Sequence, residues 1–124
     1  MVTYEQPVLY SVDFSGCTVL SSSDAATLSA TFIDALRRAG ATIVETVSHE
    51  FSGKGLTCVL ILAESHAVLH TWPETGTANV DIFSCSSRLK SLAAIDALKT
   101  AFGAHDVSIQ TIARADGHRR SAAV

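Results

Sequence analysis

Leu56-Thr57-Cys58-Val59-Leu60-Ile61-Leu62-Ala63-Glu64-Ser65-His66-Ala67-Val68-Leu69-His70-Thr71-Trp72-Pro73-Glu74 carries both the architecture and the chemistry of this chain. Leu56 to Ala63 is almost continuously apolar, as expected of a central strand covered on both faces. Periodicity alone does not separate such a run from a buried helical segment, but its shortness and the β-branched Val59 and Ile61 favour a strand. His66 to Trp72 extends as a further strand that stops before Pro73. The same stretch sets one serine, two histidines and two carboxylates beside an apolar strand. That density of reactive groups points to an enzyme rather than a structural module.

Outward from this centre the pattern alternates between strands and helices. Val8, Tyr10, Val12 and Phe14 alternate with Leu9, Ser11 and Asp13 as in a half-buried strand. Ser21, Ser22 or Ser23 is positioned to cap the next helix, with Asp24 favouring its positive end. Leu28, Phe32, Leu36 and Ala39 recur at helical spacing up to Gly40, a C-terminal cap. Ala41 to Glu50 is rich in β-branched residues, and Gly53-Lys54-Gly55 breaks it before Leu56. Ala78 to Cys85 reads as a strand with Asn79, Asp81, Phe83 and Cys85 on one face. Leu89, Leu92, Ile95, Leu98 and Phe102 follow helical spacing to Gly103, and Val107, Ile109 and Thr111 begin a last strand before a frayed Asp116 to Val124. The order β-α-β-β-β-β-α-β predicts an α+β fold, a two-layer α/β sandwich whose mainly antiparallel sheet is covered on one face by two helices.

The 124 residues fit a single domain, 1–124, with neither repeat nor linker. Hydrophobic residues make up 48% of it, high for so small a chain, and an oligomer burying a sheet face or edge would account for the excess. The net charge is −3, and no basic cluster lies over aromatics, which disfavours nucleic acid as a partner. Arg114, His118, Arg119 and Arg120 read as a solvated tail. Three cysteines, Cys17, Cys58 and Cys85, disfavour a disulfide scaffold and suit a reducing compartment. No signal-type N-terminus or membrane-length apolar run is present, so a cytoplasmic protein that does not engage membranes is expected.

Ser65 is the centre of the chemistry. A serine hydroxyl attacks a carbonyl only with a nearby base or a strained backbone. If the Glu64–Ser65 bond is held distorted, the Ser65 oxygen attacks the Glu64 carbonyl carbon, turns the amide into an ester, and elimination leaves a dehydroalanine that hydrolyses to a pyruvoyl group. An isolated Glu-Ser pair is ordinarily a strand-end serine beside a solvated glutamate. Here histidines follow at one and five positions, and in an extended segment His66 and His70 lie roughly 13 Å apart, so both reach Ser65 only if the chain bends. His49, His66, His70 and Cys85 offer ligand atoms without a recognised metal spacing, so no metal is expected. Cys85 is either an inert buried thiol or, if accessible beside a histidine, a proton carrier. Phe51 and Trp72 stack on a planar ligand or fill the core. The Thr57 hydroxyl aims at Ser65 or satisfies a backbone carbonyl.

Glu64-Ser65-His66, His70-Thr71-Trp72-Pro73-Glu74 and Asp81-Ile82-Phe83-Ser84-Cys85 together resemble the prokaryotic S-adenosylmethionine decarboxylase proenzymes. The likeness runs from about Val8 to Phe102 and is sharpest from His49 to Cys85. It implies self-cleavage between Glu64 and Ser65, giving a β chain of residues 1–64 and an α chain of residues 65–124. Ser65 becomes the N-terminal pyruvoyl cofactor, which condenses with the substrate amine as a Schiff base and accepts the electrons released with carbon dioxide. By the same resemblance His70 assists ester formation and elimination, Cys85 donates a proton to the carbon left behind, and Thr57 stands where the family has a processing serine. Phe51 would stack on adenine and Glu74 would hold the substrate. The product would be the aminopropyl donor of polyamine synthesis, and the enzyme a homodimer with sites near the subunit boundary.

The chain departs from the family pattern in places. Gln6-Pro7-Val8 lacks the usual Gly-x-His, Gly53 to Cys58 replaces a Pro-x-Gly-Val-Ser-Gly approach, the aromatic near Thr77 is missing, and Ser86 replaces a glycine. These changes touch the substrate pocket more than the processing chemistry. The resemblance also admits a decarboxylase of arginine or ornithine, whose cation Glu74 or Asp81 would meet. A third reading is an uncleaved, non-catalytic homologue acting as a dimerising or regulatory subunit.

Overall fold

The structure, a computed structural model, describes residues 6–115. Six strands form one antiparallel sheet, with β1 over Val8–Ser15, β2 over Ile43–Glu50, β3 over Leu56–Leu62, β4 over Ser65–Trp72, β5 over Thr77–Ser84 and β6 over Asp106–Ala113. Their spatial order is β2-β3-β4-β5-β1-β6. Helices α1 (Ala25–Arg38) and α2 (Ser91–Phe102) pack together against one face. This is the two-layer sandwich that the alternation of patterns predicts. The expected frayed tail from Asp116, with His118, Arg119 and Arg120, lies outside the described residues.

The core lies between helices and sheet. Phe32 and Leu36 of α1, Leu98 and Phe102 of α2, and Val12, Phe14, Leu60, Leu69, Val80 and Ile82 of the sheet are buried. Phe102 meets Phe14 edge-on with ring centroids 5.4 Å apart. Among the described residues Thr71 is the one strand threonine buried on this side, and its hydroxyl accepts from the Leu56 N–H at 3.1 Å, which removes the cost of burying it. Asp24 itself, not a serine, caps α1, its carboxylate accepting from Thr27 N–H at 2.7 Å. The serines instead belong to a short 3-10 turn, Leu20–Ser22, and to its exit. Leu92 is exposed, while Ser91, Ala94 and Ile95 face inward with Leu98; the helix is rotated from the expected stripe. Gly40 sits at φ 104°, where an added Cβ would lie 2.3 Å from the Arg88 carbonyl oxygen, so only glycine closes α1 this tightly.

The other sheet face is open, which corrects the expectation that β3 is covered on both sides. Within this chain Ile61 is 43% and Val47 53% exposed. Register aligns this face in rows across all six strands. One row runs His49, Thr57, His70, Asn79, Asp13 and Ser108; the next runs Val47, Val59, Val68, Asp81, Ser11 and Gln110; a third runs Glu45, Ile61, His66, Phe83, Leu9 and Ile112. Polar and reactive side chains therefore share this uncovered face with β-branched ones.

Candidate active site

The two strands that carry the site, β3 and β4, are joined by Ala63 and Glu64 alone, with Leu62 paired to Ser65. Two-residue hairpins favour turns with positive φ at a central residue, which glycine or asparagine supplies. Neither Ala63 nor Glu64 takes positive φ; Ser65 does, at 152°. A non-glycine residue in that region stores about 1–3 kcal/mol of strain. The strain falls on Ser65, which follows the peptide bond at which the family resemblance leads one to expect cleavage.

Glu64 is not the solvated glutamate of an ordinary strand end. It is 2% exposed, its Oε1 accepts from Thr42 N–H at 3.0 Å, and Ala63 N–H donates to the Thr42 carbonyl at 2.9 Å. These bonds clamp the turn to the start of β2. Among the described residues Glu64 Oε2 has no hydrogen-bond partner. The Glu64 carbonyl oxygen accepts from both the Cys85 N–H and the Cys85 Sγ, each at 3.2 Å. Two donors on one carbonyl polarise it toward attack and stand ready for the charge of a tetrahedral intermediate. Cys85 lies one residue beyond β5 and is exposed, so it is an accessible thiol. Ser65 Oγ stands 3.5 Å from His66 Nδ1, too long for a strong hydrogen bond.

A second cluster occupies the other end of β3 and β4. Thr57 Oγ1 and His70 Nδ1 are 2.6 Å apart, so the threonine hydroxyl serves neither Ser65 nor a backbone carbonyl but orients the imidazole. Phe51 and Trp72 flank His70 with ring centroids at 5.9 and 4.4 Å. Both are 45% exposed and line a cleft of about 280 Å³ with Gly53, Gly55, His70 and Glu74, so they stand at a surface rather than in the core. Trp72 Nε1 donates to Asn79 Oδ1 at 2.6 Å, and Asn79 Nδ2 donates to Asp13 Oδ1 at 2.7 Å. This chain of bonds from β4 to β1 escapes sequence reasoning because the register that joins it is set by three-dimensional pairing; the alternation of Asn79 with Ala78 and Val80 was its only trace.

The predicted residues therefore fall into two groups within one chain. Glu64, Ser65 and Cys85 meet at one end, and Thr57, Phe51, His70 and Glu74 gather at the other. β4 runs unbroken from Ser65 to Trp72, which puts His70 roughly 17 Å from Ser65 at strand rise. The bend that would let His66 and His70 both reach Ser65 does not occur, and His66 is the nearer. The remaining cysteines take no part: Cys17 and Cys58 are buried, and burial pushes the Cys17 thiol up, against a backbone hydrogen bond from Ala78 that lowers it. Among the described residues no three His, Cys, Asp or Glu side chains group as a metal site, and no helix is long and apolar enough to cross a membrane.

A thiol, a strained serine and an aromatic-walled cleft on this sandwich suit a decarboxylase, the class to which its relatives belong. The chain belongs to the S-adenosylmethionine decarboxylase family, whose model matches residues 9–115. It is 41% identical over 102 residues to the S-adenosylmethionine decarboxylase proenzyme of Acidithiobacillus ferrooxidans, covering 82% of this chain and 77% of that one. It is 37% identical over 98 residues to the proenzyme of Prochlorococcus marinus, covering 79% and 78% of the two chains. The crystal structure of the adenosylmethionine decarboxylase from Aquifex aeolicus VF5 superposes with a TM-score of 0.82 at 25% identity, covering 96% of this chain and 98% of that one.

Proposed function

We propose that this chain is a proenzyme that cleaves itself between Glu64 and Ser65 and then decarboxylates S-adenosylmethionine. The observation that carries the reading is the Ser65 backbone at φ 152° behind a carbonyl held by two Cys85 donors. Strain raises the ground state of the scissile peptide, and the donors lower the barrier to attack on it. The same features fit a pyruvoyl group, which arises from Ser65 in place. Once formed, that ketone supplies the electron sink for loss of carbon dioxide from a bound amino acid. Cys85, at the same strand end and exposed, moves a proton to the substrate carbon.

Substrate recognition is assigned to the far cluster. Phe51, His70 and Trp72 present aromatic surface for a planar base, and Glu74 at the rim offers a carboxylate to ribose hydroxyls or to positive charge. The separation of about 17 Å between His70 and Ser65 then calls for a second copy. A two-fold axis lying along the row of Val59 and Val68 stacks two open faces and brings the His70 row of one chain over the Ser65 end of the other. It also covers Val47 and Ile61, accounting for an apolar run exposed in one chain. His70, Thr57, Phe51 and Glu74 thus serve the partner's Ser65 in a homodimer. Free cysteines suit a reducing, cytoplasmic setting.

Two experiments test the reading. Carbon dioxide release is compared on S-adenosylmethionine, arginine and ornithine; turnover of the first alone is expected, and activity confined to a basic amino acid overturns the substrate assignment. Co-expression of Ser65→Ala with His70→Ala chains tests sharing. The His70→Ala chain should mature in the mixture and not by itself, whereas no maturation in the mixture contradicts the shared site.

A further inference from the structure

We propose that His66 is the base that starts cleavage of its own chain, leaving His70 of the partner subunit for the later elimination. The inference rests on the self-cleavage reading above and names a residue to which no role has been attached. Within one chain, Ser65 Oγ has His66 Nδ1 at 3.5 Å, while the straight β4 holds His70 roughly 17 Å off. Ordinary strand alternation would send Ser65 and His66 to opposite faces. The positive φ of Ser65 breaks that alternation and lets the hydroxyl meet the following imidazole. One distortion thus serves two ends, straining the peptide and delivering the nucleophile to a base.

The His66 ring is braced for this task. It packs on Phe83 with centroids 5.3 Å apart, and the Arg114 guanidinium carbon lies 5.7 Å from the centroid of that same Phe83 ring. Of two rival groups, the Cys85 thiol is engaged as a donor to the Glu64 carbonyl, and the Glu64 carboxylate is anchored through Oε1 to Thr42 N–H on the β2 side of the turn, its Oε2 being unpaired among the described residues. Catalytic hydrogen bonds are often long before the reacting geometry is reached, and a rotation closing 3.5 Å to a bonding distance is small.

The step balances within the chain. Neutral His66, protonated at Nε2 and free at Nδ1, takes the Ser65 Oγ proton as Oγ bonds to the Glu64 carbonyl carbon. The oxyanion sits on the Cys85 N–H and Sγ donors. Collapse breaks the bond from that carbon to the Ser65 nitrogen, which receives the proton from His66. The product is an ester joining Glu64 to Ser65 with a free amine, and no proton is gained or lost. Elimination of that ester requires removal of the Ser65 Cα proton, the work left to His70.

General-base removal slows such a step by about 10²–10⁴-fold. The test isolates full-length chains of His66→Ala, His66→Gln and His70→Ala and treats them, denatured, with hydroxylamine, which cuts an ester at residue 64 and leaves a peptide intact. Intact mass should show the His70→Ala chain cut and both His66 variants resistant and at least about 100-fold slower to mature than the unaltered chain. Added imidazole should restore maturation of His66→Ala but not of Ser65→Ala. Maturation of either His66 variant within twofold of the unaltered rate overturns the proposal, as does a hydroxylamine-sensitive His66→Ala chain or failure of imidazole to rescue it. Should the unaltered protein never cleave, the self-processing reading itself fails, an outcome distinct from these.

Discussion

Replacing Thr57 by valine removes one oxygen and almost nothing else. The 2.6 Å contact between Thr57 Oγ1 and His70 Nδ1 joins two half-buried side chains on adjacent strands. A neutral hydrogen bond in such a setting contributes about 1 kcal/mol net, and the isosteric methyl leaves no cavity. Without the hydroxyl the imidazole turns between its Phe51 and Trp72 neighbours, and any step requiring its fixed orientation loses about fivefold, the equivalent of 1 kcal/mol at 25 °C. Maturation followed by intact mass should slow by that factor, and turnover of the mature enzyme should fall through the same cleft. Thr57→Ser, which keeps the oxygen, should restore most of both rates. If Thr57→Val matures and turns over within twofold of the unaltered protein, or if Thr57→Ser is equally impaired, the orienting role is wrong.

Other perturbations probe separate parts of the account. Ser65→Ala should remain a single chain of 124 residues by mass and release no carbon dioxide; any cleavage at residue 64 removes the nucleophile assignment. Cys85→Ala keeps the N–H donor on the Glu64 carbonyl but loses Sγ, so cleavage should slow about tenfold, less than loss of a full oxyanion donor, and turnover should drop further; unchanged kinetics and product would argue against both thiol roles. Phe102→Ala deletes a fully buried ring packed on Phe14 and should cost about 3–5 kcal/mol in urea unfolding. The Asp24 carboxyl is held below its ordinary range by hydrogen bonds from the Thr27 side chain and backbone. Its stabilisation is therefore present above the unfolded pKa and lost as pH falls through the lower folded value. Asp24→Ala should melt earlier than the parent at pH 7 and equally in strong acid; an undiminished difference in acid contradicts the cap.

Much of the fold was legible because local patterns agreed with one another. Leu28, Phe32 and Leu36 at helical spacing, and Ala67 and Leu69 alternating with Val68 and His70, each buried the face their period indicates. Two misreadings have physical causes. The run from Leu56 to Ala63 looked covered on both faces because Val59 and Ile61, on the open face, are as apolar as Cys58, Leu60 and Leu62 on the buried one. Leu92 looked inward because leucine spacing alone does not tell a helix how to rotate against α1. The site was legible as a set of residues, since the types around Ser65 are chemically unusual together. Its division was not: separation along β4 depends on that strand staying straight, and the Ser65–His66 contact depends on a φ that no sequence period encodes. Asn79 and Asp13 belong to different strands brought together by register, so nothing local joins them.

Denaturing intact mass of the unaltered, catalytically active protein tests the central claim most directly. Two complementary chains of 64 and 60 residues, from cleavage of 124, are predicted, the smaller one opening on a pyruvoyl ketone instead of serine. An active preparation in which Ser65 is still serine within one uninterrupted chain would contradict it.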